Sequence, residues 1–98
     1  MHEFMVVAHL PAEVGQEFFE LIPRHRAVVH QLMASGVITS YSLASDRQTL
    51  WITVIAESID GVRAHLSILP LYRYMECDIE ELMFHNSPVF APHRFSLN

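Results

Sequence analysis

The sequence has no lysine, a single cysteine and only three glycines in 98 residues. Each shortage removes a class of function. Without Lys, all six basic residues are Arg, set against eleven acidic ones for a net charge of −5 with His neutral. Arg24 and Arg26 form the only local basic pair, so no extended cationic face can be built and nucleic acid is not an expected partner. The lone Cys77 rules out an internal disulfide and favours a reducing compartment. Three scattered glycines cannot make a phosphate-cradling loop. No apolar run nears the roughly 18 residues of a membrane span. No basic segment followed by an apolar one opens the sequence as a secretory signal would. The expectation is a cytoplasmic protein with no membrane partner.

What is abundant is apolar surface. Residues of the apolar set make up 51% of the chain. A single domain of this length buries only about two-thirds of its unfolded surface. An apolar excess on so small a body is expected to be hidden against a second copy, giving a homodimer or higher homo-oligomer.

The order of periodicities sets the fold. Phe4, Val6 and Ala8 alternate with Met5, Val7 and His9, the pattern of a strand covered on both faces. After Pro11 the period changes. Val14, Phe18, Leu21, Ile22, His25, Val28, Val29 and Leu32 recur at spacings of three and four, an amphipathic helix running from Ala12. Pro23 falls inside it and predicts a kink or two successive helices; Gly36 supplies the stop. Residues 37–44 form a second strand, residues 45–48 a polar turn, and residues 50–56 a third strand. Ser58 caps a second helix with Ile59, Val62, Leu66 and Leu69 on its buried stripe, ending at Pro70. Residues 74–85 read as a long fourth strand, ended by Asn86-Ser87-Pro88. The order βαββαβ predicts an α+β, ferredoxin-like domain over residues 1–88 with a four-stranded antiparallel sheet. Two helices cover one sheet face, so the other is expected to meet a partner's sheet. Residues 89–98, with Phe90 and Phe95, are expected to form a tail that packs on a partner subunit.

Leu69-Pro70-Leu71-Tyr72 with Tyr74-Met75, a strand ending His85-Asn86-Ser87-Pro88, Leu10-Pro11 after the first strand and Gly36 after the first helix together resemble the muconolactone delta-isomerase family. The resemblance implies a dimeric α/β barrel and a small-molecule site, free of cofactor and metal, between sheet and helices. It implies a proton shift in an unsaturated lactone bearing a carboxylate. As aligned, the family's middle of helix one is rich in acidic and Lys residues. Here it reads Arg24-His25-Arg26, so no carboxylate base stands there.

Candidate chemistry follows. His25 lies on the apolar stripe of the first helix and should face the sheet, where a neutral imidazole can act as a base; it can equally be a core histidine bonded to a carbonyl or a Tyr hydroxyl. Tyr41 and Tyr74 carry hydroxyls that need partners if buried, and stand beside His25 as candidate catalytic groups. Arg24 and Arg26 are candidate contacts for a substrate carboxylate, or solvated surface groups. Trp51 and Tyr72 are candidate cavity walls, or core and corner plugs. Seven His residues show no ligand spacing, so no metal is expected. Cys77 reads as an inert thiol. Two functions stay open: a cofactor-free isomerase, or a non-catalytic ligand-binding or structural oligomer.

Overall fold

The computed structural model describes residues 1–86. The elements are β1 (His2–His9), α1 (Gln16–Ala34), β2 (Ile38–Leu43), β3 (Thr49–Ala56), α2 (Ile59–Leu66), a 3₁₀ turn (Tyr72–Tyr74) and β4 (Glu76–Glu81). The strands form one antiparallel sheet in the order β2-β3-β1-β4, with β3 between the two strands that α1 connects. This is the expected α+β arrangement.

Alternation decides the covered face. Phe4, Val6 and Ala8 of β1 and Leu50, Ile52, Val54 and Ala56 of β3 are buried, and meet Val29 and Leu32 of α1 and Val62 and Leu66 of α2. Burying a ring such as Phe4 contributes about 2 kcal/mol. The opposite face carries Met5, Val7, Trp51 and Ile55 at its centre, and Glu76, Asp78 and Glu80 along the β4 edge. One residue of that face, Thr53, is fully buried, and its hydroxyl is satisfied by Thr39 and Ser40 where β2 slips register.

Several boundaries differ from the sequence reading. Helix α1 begins at Gln16, not Ala12, because Gly15 has an extended backbone and offers no capping side chain. It then runs through Pro23 as one helix. Buried anchors flank the proline, Phe18 against Tyr74 and His25 bonded to Tyr41 of β2, and that burial outweighs the lost backbone bond. Its end is as expected: Gly36 has φ +82°, Val37 N–H donates to Leu32 O and Gly36 N–H to Met33 O, a Schellman motif. Helix α2, capped by Ser58 Oγ accepting from Gly61 N–H, ends at Leu66 rather than at Pro70, and the chain goes on in tight turns to Tyr74. Strand β4 is six residues long, not twelve. At one end Tyr72–Tyr74 is coiled in the 3₁₀ turn; at the other, the pairing ends with Leu82 N–H bonded to Glu3 O, although β1 continues to His2. The predicted tail, residues 89–98, lies outside the described residues. Among the described residues no helix is long and apolar enough to cross a membrane.

Candidate active site

One cavity of about 890 Å³ opens between α1, the end of β1 and the β2–β3 turn. That size suits a small organic ligand. Its wall is largely apolar, with Pro11, Phe18, Phe19, Ile22, Leu43 and Leu50 contributing. The polar groups gather in two places, a buried pair at the floor and a charged rim at the mouth.

The floor is built by three elements. His25 is carried by the sheet-facing stripe of α1, together with Phe18, Val29 and Leu32, and is 4% exposed. Tyr41 stands opposite Ile52 in β2 and so shares the helix-facing side of the sheet. Leu71 arrives in the turn after α2, where Pro70 and the coming 3₁₀ turn leave its amide without a helical acceptor. These three groups form a chain. Leu71 N–H donates to His25 Nδ1 at 3.3 Å, and His25 Nε2 lies 2.7 Å from Tyr41 Oη. A ring nitrogen that accepts from an amide carries no hydrogen, so neutral His25 holds its proton on Nε2 and donates it to Tyr41. The Tyr41 hydroxyl hydrogen is then free to serve something else.

Burial controls the charge of both groups. It lowers the pKa of His25 below the usual imidazole value, keeping the ring neutral. The flanking guanidiniums of Arg24 and Arg26 are not the cause. Burial also pushes the Tyr41 phenol up to about 12, so it is a hydrogen-bond donor at neutral pH.

The rim carries Arg26 and His30 from α1, and Asp46, Arg47 and Gln48 from the β2–β3 turn. The structure thus brings His25, Tyr41 and Arg26 to one cavity. It places the other sequence candidates elsewhere. Arg24 and Tyr72 line a separate shallow hollow of about 430 Å³ beside Ile68 and Pro70. Tyr74 packs edge-on against Phe18 with ring centroids 5.0 Å apart, and its hydroxyl donates to Glu17, which also binds Arg73 at 2.8 Å. That cluster ties the start of α1 to the 3₁₀ turn. Trp51 projects from the uncovered sheet face, where its partner is Val7. Sequence reasoning missed His30 and Arg47. His30 was findable, because it lies four residues after Arg26 and shares its helix side. Arg47 sits in a polar turn and gave no periodic signal.

Among the described residues no three His, Cys, Asp or Glu side chains converge as metal ligands. Cys77 is half-buried and lies outside the cavity; burial first, and the Asp78 carboxylate second, push its thiol pKa up.

The model of the muconolactone delta-isomerase family matches residues 3–88. The crystal structure of muconolactone isomerase is similar over 91% of this chain and 96% of that one, with a TM-score of 0.69 at 18% sequence identity, a likeness of fold. No functionally curated protein matches the sequence.

Proposed function

The chain belongs to the muconolactone delta-isomerase family, and on that premise we propose that it is a cofactor-free isomerase, or a related proton-transfer enzyme, acting on a small carboxylated lactone or enol. The observation that carries this reading is the His25–Tyr41 pair at the floor of an apolar cavity. Moving a proton between two carbons of an unsaturated lactone passes through an enolate whose charge collects on the carbonyl oxygen. A donor aimed at that oxygen, in a site with little water, stabilises the transition state. Tyr41 is that donor. Its own oxygen accepts from His25 Nε2, which leaves its hydrogen to bond the enolate oxygen without being lost. The proton that leaves the first carbon is taken by another base, His30 or Asp46 of the same lining, and returned by it to the second carbon. His25 is the group that orients Tyr41, and Leu71 N–H is the group that sets the His25 tautomer. Arg26 at the mouth holds the substrate carboxylate. Arg24, Trp51, Tyr72 and Tyr74 have no part in this scheme, since they lie outside the cavity.

One observation favours a second reading, a non-catalytic small-ligand binder of the same fold. Both ring nitrogens of His25 are engaged within the protein, which leaves no free base at the floor. Tyr41→Phe separates the two. If the site is catalytic, wild type isomerises unsaturated lactone carboxylates, and the variant loses about 10²–10³-fold in kcat with the fold retained. If wild type binds such lactones but turns none over, the binder reading stands.

The uncovered sheet face supports a homodimer or higher homo-oligomer. Trp51 is 41% exposed there, beside Met5, Val7 and Ile55. Met83 and Phe84, which follow β4, are exposed as well. Burial of these groups against a second sheet would remove the apolar excess noted in the composition.

A further inference from the structure

We infer that Arg47 is an anion-specificity residue of the cavity, retained in the β2–β3 turn for ligand contact at the expense of the turn's own backbone preference. Three observations meet at this residue. First, its backbone is left-handed, with φ +65°, and among the described residues it is the only one other than glycine with positive φ. Its amide donates to Ala44 O at 2.8 Å, Gln48 N–H is held by Asp46 Oδ1 at 2.9 Å, and Ala44 N–H bonds Thr49 O at 2.8 Å. This is a tight hairpin turn, and its third position takes the left-handed backbone that Gly or Asn adopts most readily. An Arg there is strained, and strain of this kind collects where a site needs the side chain.

Second, Arg47 lines the same cavity as Arg26, and neither guanidinium has a carboxylate within ion-pair distance among the described residues. Third, the charge of the lining is opposite to that of the chain. Two Arg and one Asp line the cavity, while the whole sequence carries −5. The one carboxylate, Asp46, has an oxygen committed to the Gln48 amide. The turn itself is tied to the end of β1 by Leu10 N–H donating to Gln48 O at 2.8 Å, so Arg47 is presented from an anchored loop. Two guanidiniums from different elements in one cavity lining suit a planar carboxylate on a small ring, with the Tyr41 hydroxyl in the same lining as the donor for the ring's carbonyl.

The inference rests on the cavity being the substrate site, as proposed above, but its readout is equilibrium binding, so it can fail while the Tyr41 result holds, and the reverse. The probes are 2-furoate and its neutral isostere 2-furamide, with dissociation constants measured by calorimetry on wild type, Arg47→Gly and Arg47→Asn. Both replacements fit left-handed backbone. Wild type should bind furoate more tightly than furamide by about tenfold, the scale of a charge-assisted pair. Each variant should lose most of that preference, leave furamide binding unchanged, and melt at the wild-type temperature or higher. A wild type that does not prefer the anion, variants that keep the preference, or variants that melt well below wild type would each overturn the inference.

Discussion

Replacing His25 by Gln tests the hydrogen-bond chain on which the site depends. His25 is almost fully buried, and its Nδ1 accepts from Leu71 N–H. Protonation would put a second hydrogen on Nδ1, where that amide already points, so the charged ring is disfavoured by desolvation and by loss of this bond. In the unfolded chain neither cost exists, and the ring titrates near its ordinary value of 6.5. Between the lowered folded value and 6.5 the unfolded state binds more protons, so stability rises with pH. The contribution of neutral His25 is therefore complete above about pH 6.5 and is lost as pH falls through the folded-state value, with a slope of at most about 1.4 kcal/mol per pH unit. Gln cannot titrate, yet its amide has one acceptor for Leu71 and one donor for Tyr41. Its cost at pH 7.5 is then mainly the packing of the lost ring, about 1 kcal/mol, or about 4–8 °C in Tm for a domain of this size. Urea unfolding of both proteins at matched concentration, from pH 7.5 down to 5, gives the result. The gap between wild type and variant should be widest at pH 7.5 and close on acidification, since the other histidines contribute equally to both. Nitrogen NMR of the His25 ring should show hydrogen on Nε2. A gap that does not change with pH, a ring that titrates at or above 6.5, or hydrogen on Nδ1 would refute the reasoning.

Three other outcomes are expected. Pro23→Ala restores an amide that can bond the Phe19 carbonyl within a helix that is already continuous, and should raise stability by about 1–3 kcal/mol in thermal unfolding; a lower Tm would mean that the proline ring is fitted by its neighbours. Trp51→Glu places a charge at the centre of the uncovered sheet face, and if the proposed oligomer forms through that face, sedimentation should show wild type assembled and the variant monomeric with unchanged circular dichroism. An unchanged sedimentation coefficient would move the interface elsewhere. Cys77, half-buried with its pKa raised, should react with a disulfide reagent at neutral pH far more slowly in the native protein than in urea, and equal rates would contradict the burial that keeps it protonated.

The elements of the sheet and the two helices were legible because each carries a clean period. Strand β1 alternates, α1 repeats at three and four, and the Ser58 and Gly36 caps mark ends by their backbone chemistry. What failed to show were ends fixed by tertiary pairing. Strand β4 stops at Glu81, opposite Phe4, although β1 continues to His2, and nothing in residues 82–85 announces that. Pro23 left a kink or two successive helices open, and the structure has one continuous helix there. Trp51 and Tyr41 show the same limit within one hairpin. Residues 37–44 mix polar and apolar side chains without clean alternation and residues 50–56 are mostly apolar on both faces, so parity could not be assigned until the register paired Tyr41 with Ile52 and Ser42 with Trp51.

The site divides along similar lines. His25 and Arg26 follow from the phase of α1, and Tyr41 follows once the phase of β2 is known. Tyr72 was read as a cavity wall for its ring and Tyr74 as a catalytic group for its hydroxyl, but the 3₁₀ turn that contains them directs the Leu71 amide to His25 and leaves both outside the cavity lining. The contribution of Leu69-Pro70-Leu71-Tyr72 to the floor of the site is thus a backbone N–H together with the Leu71 side chain. No side-chain pattern can encode that amide, because any non-proline residue would donate it. What makes it available is the chain geometry around Pro70, which ends the helical bonding and turns the next amide toward α1. The tautomer of His25, and through it the direction in which Tyr41 offers its proton, is therefore a property of the turn between α2 and β4. A change in that turn would alter the chemistry at the cavity floor without touching any polar side chain there.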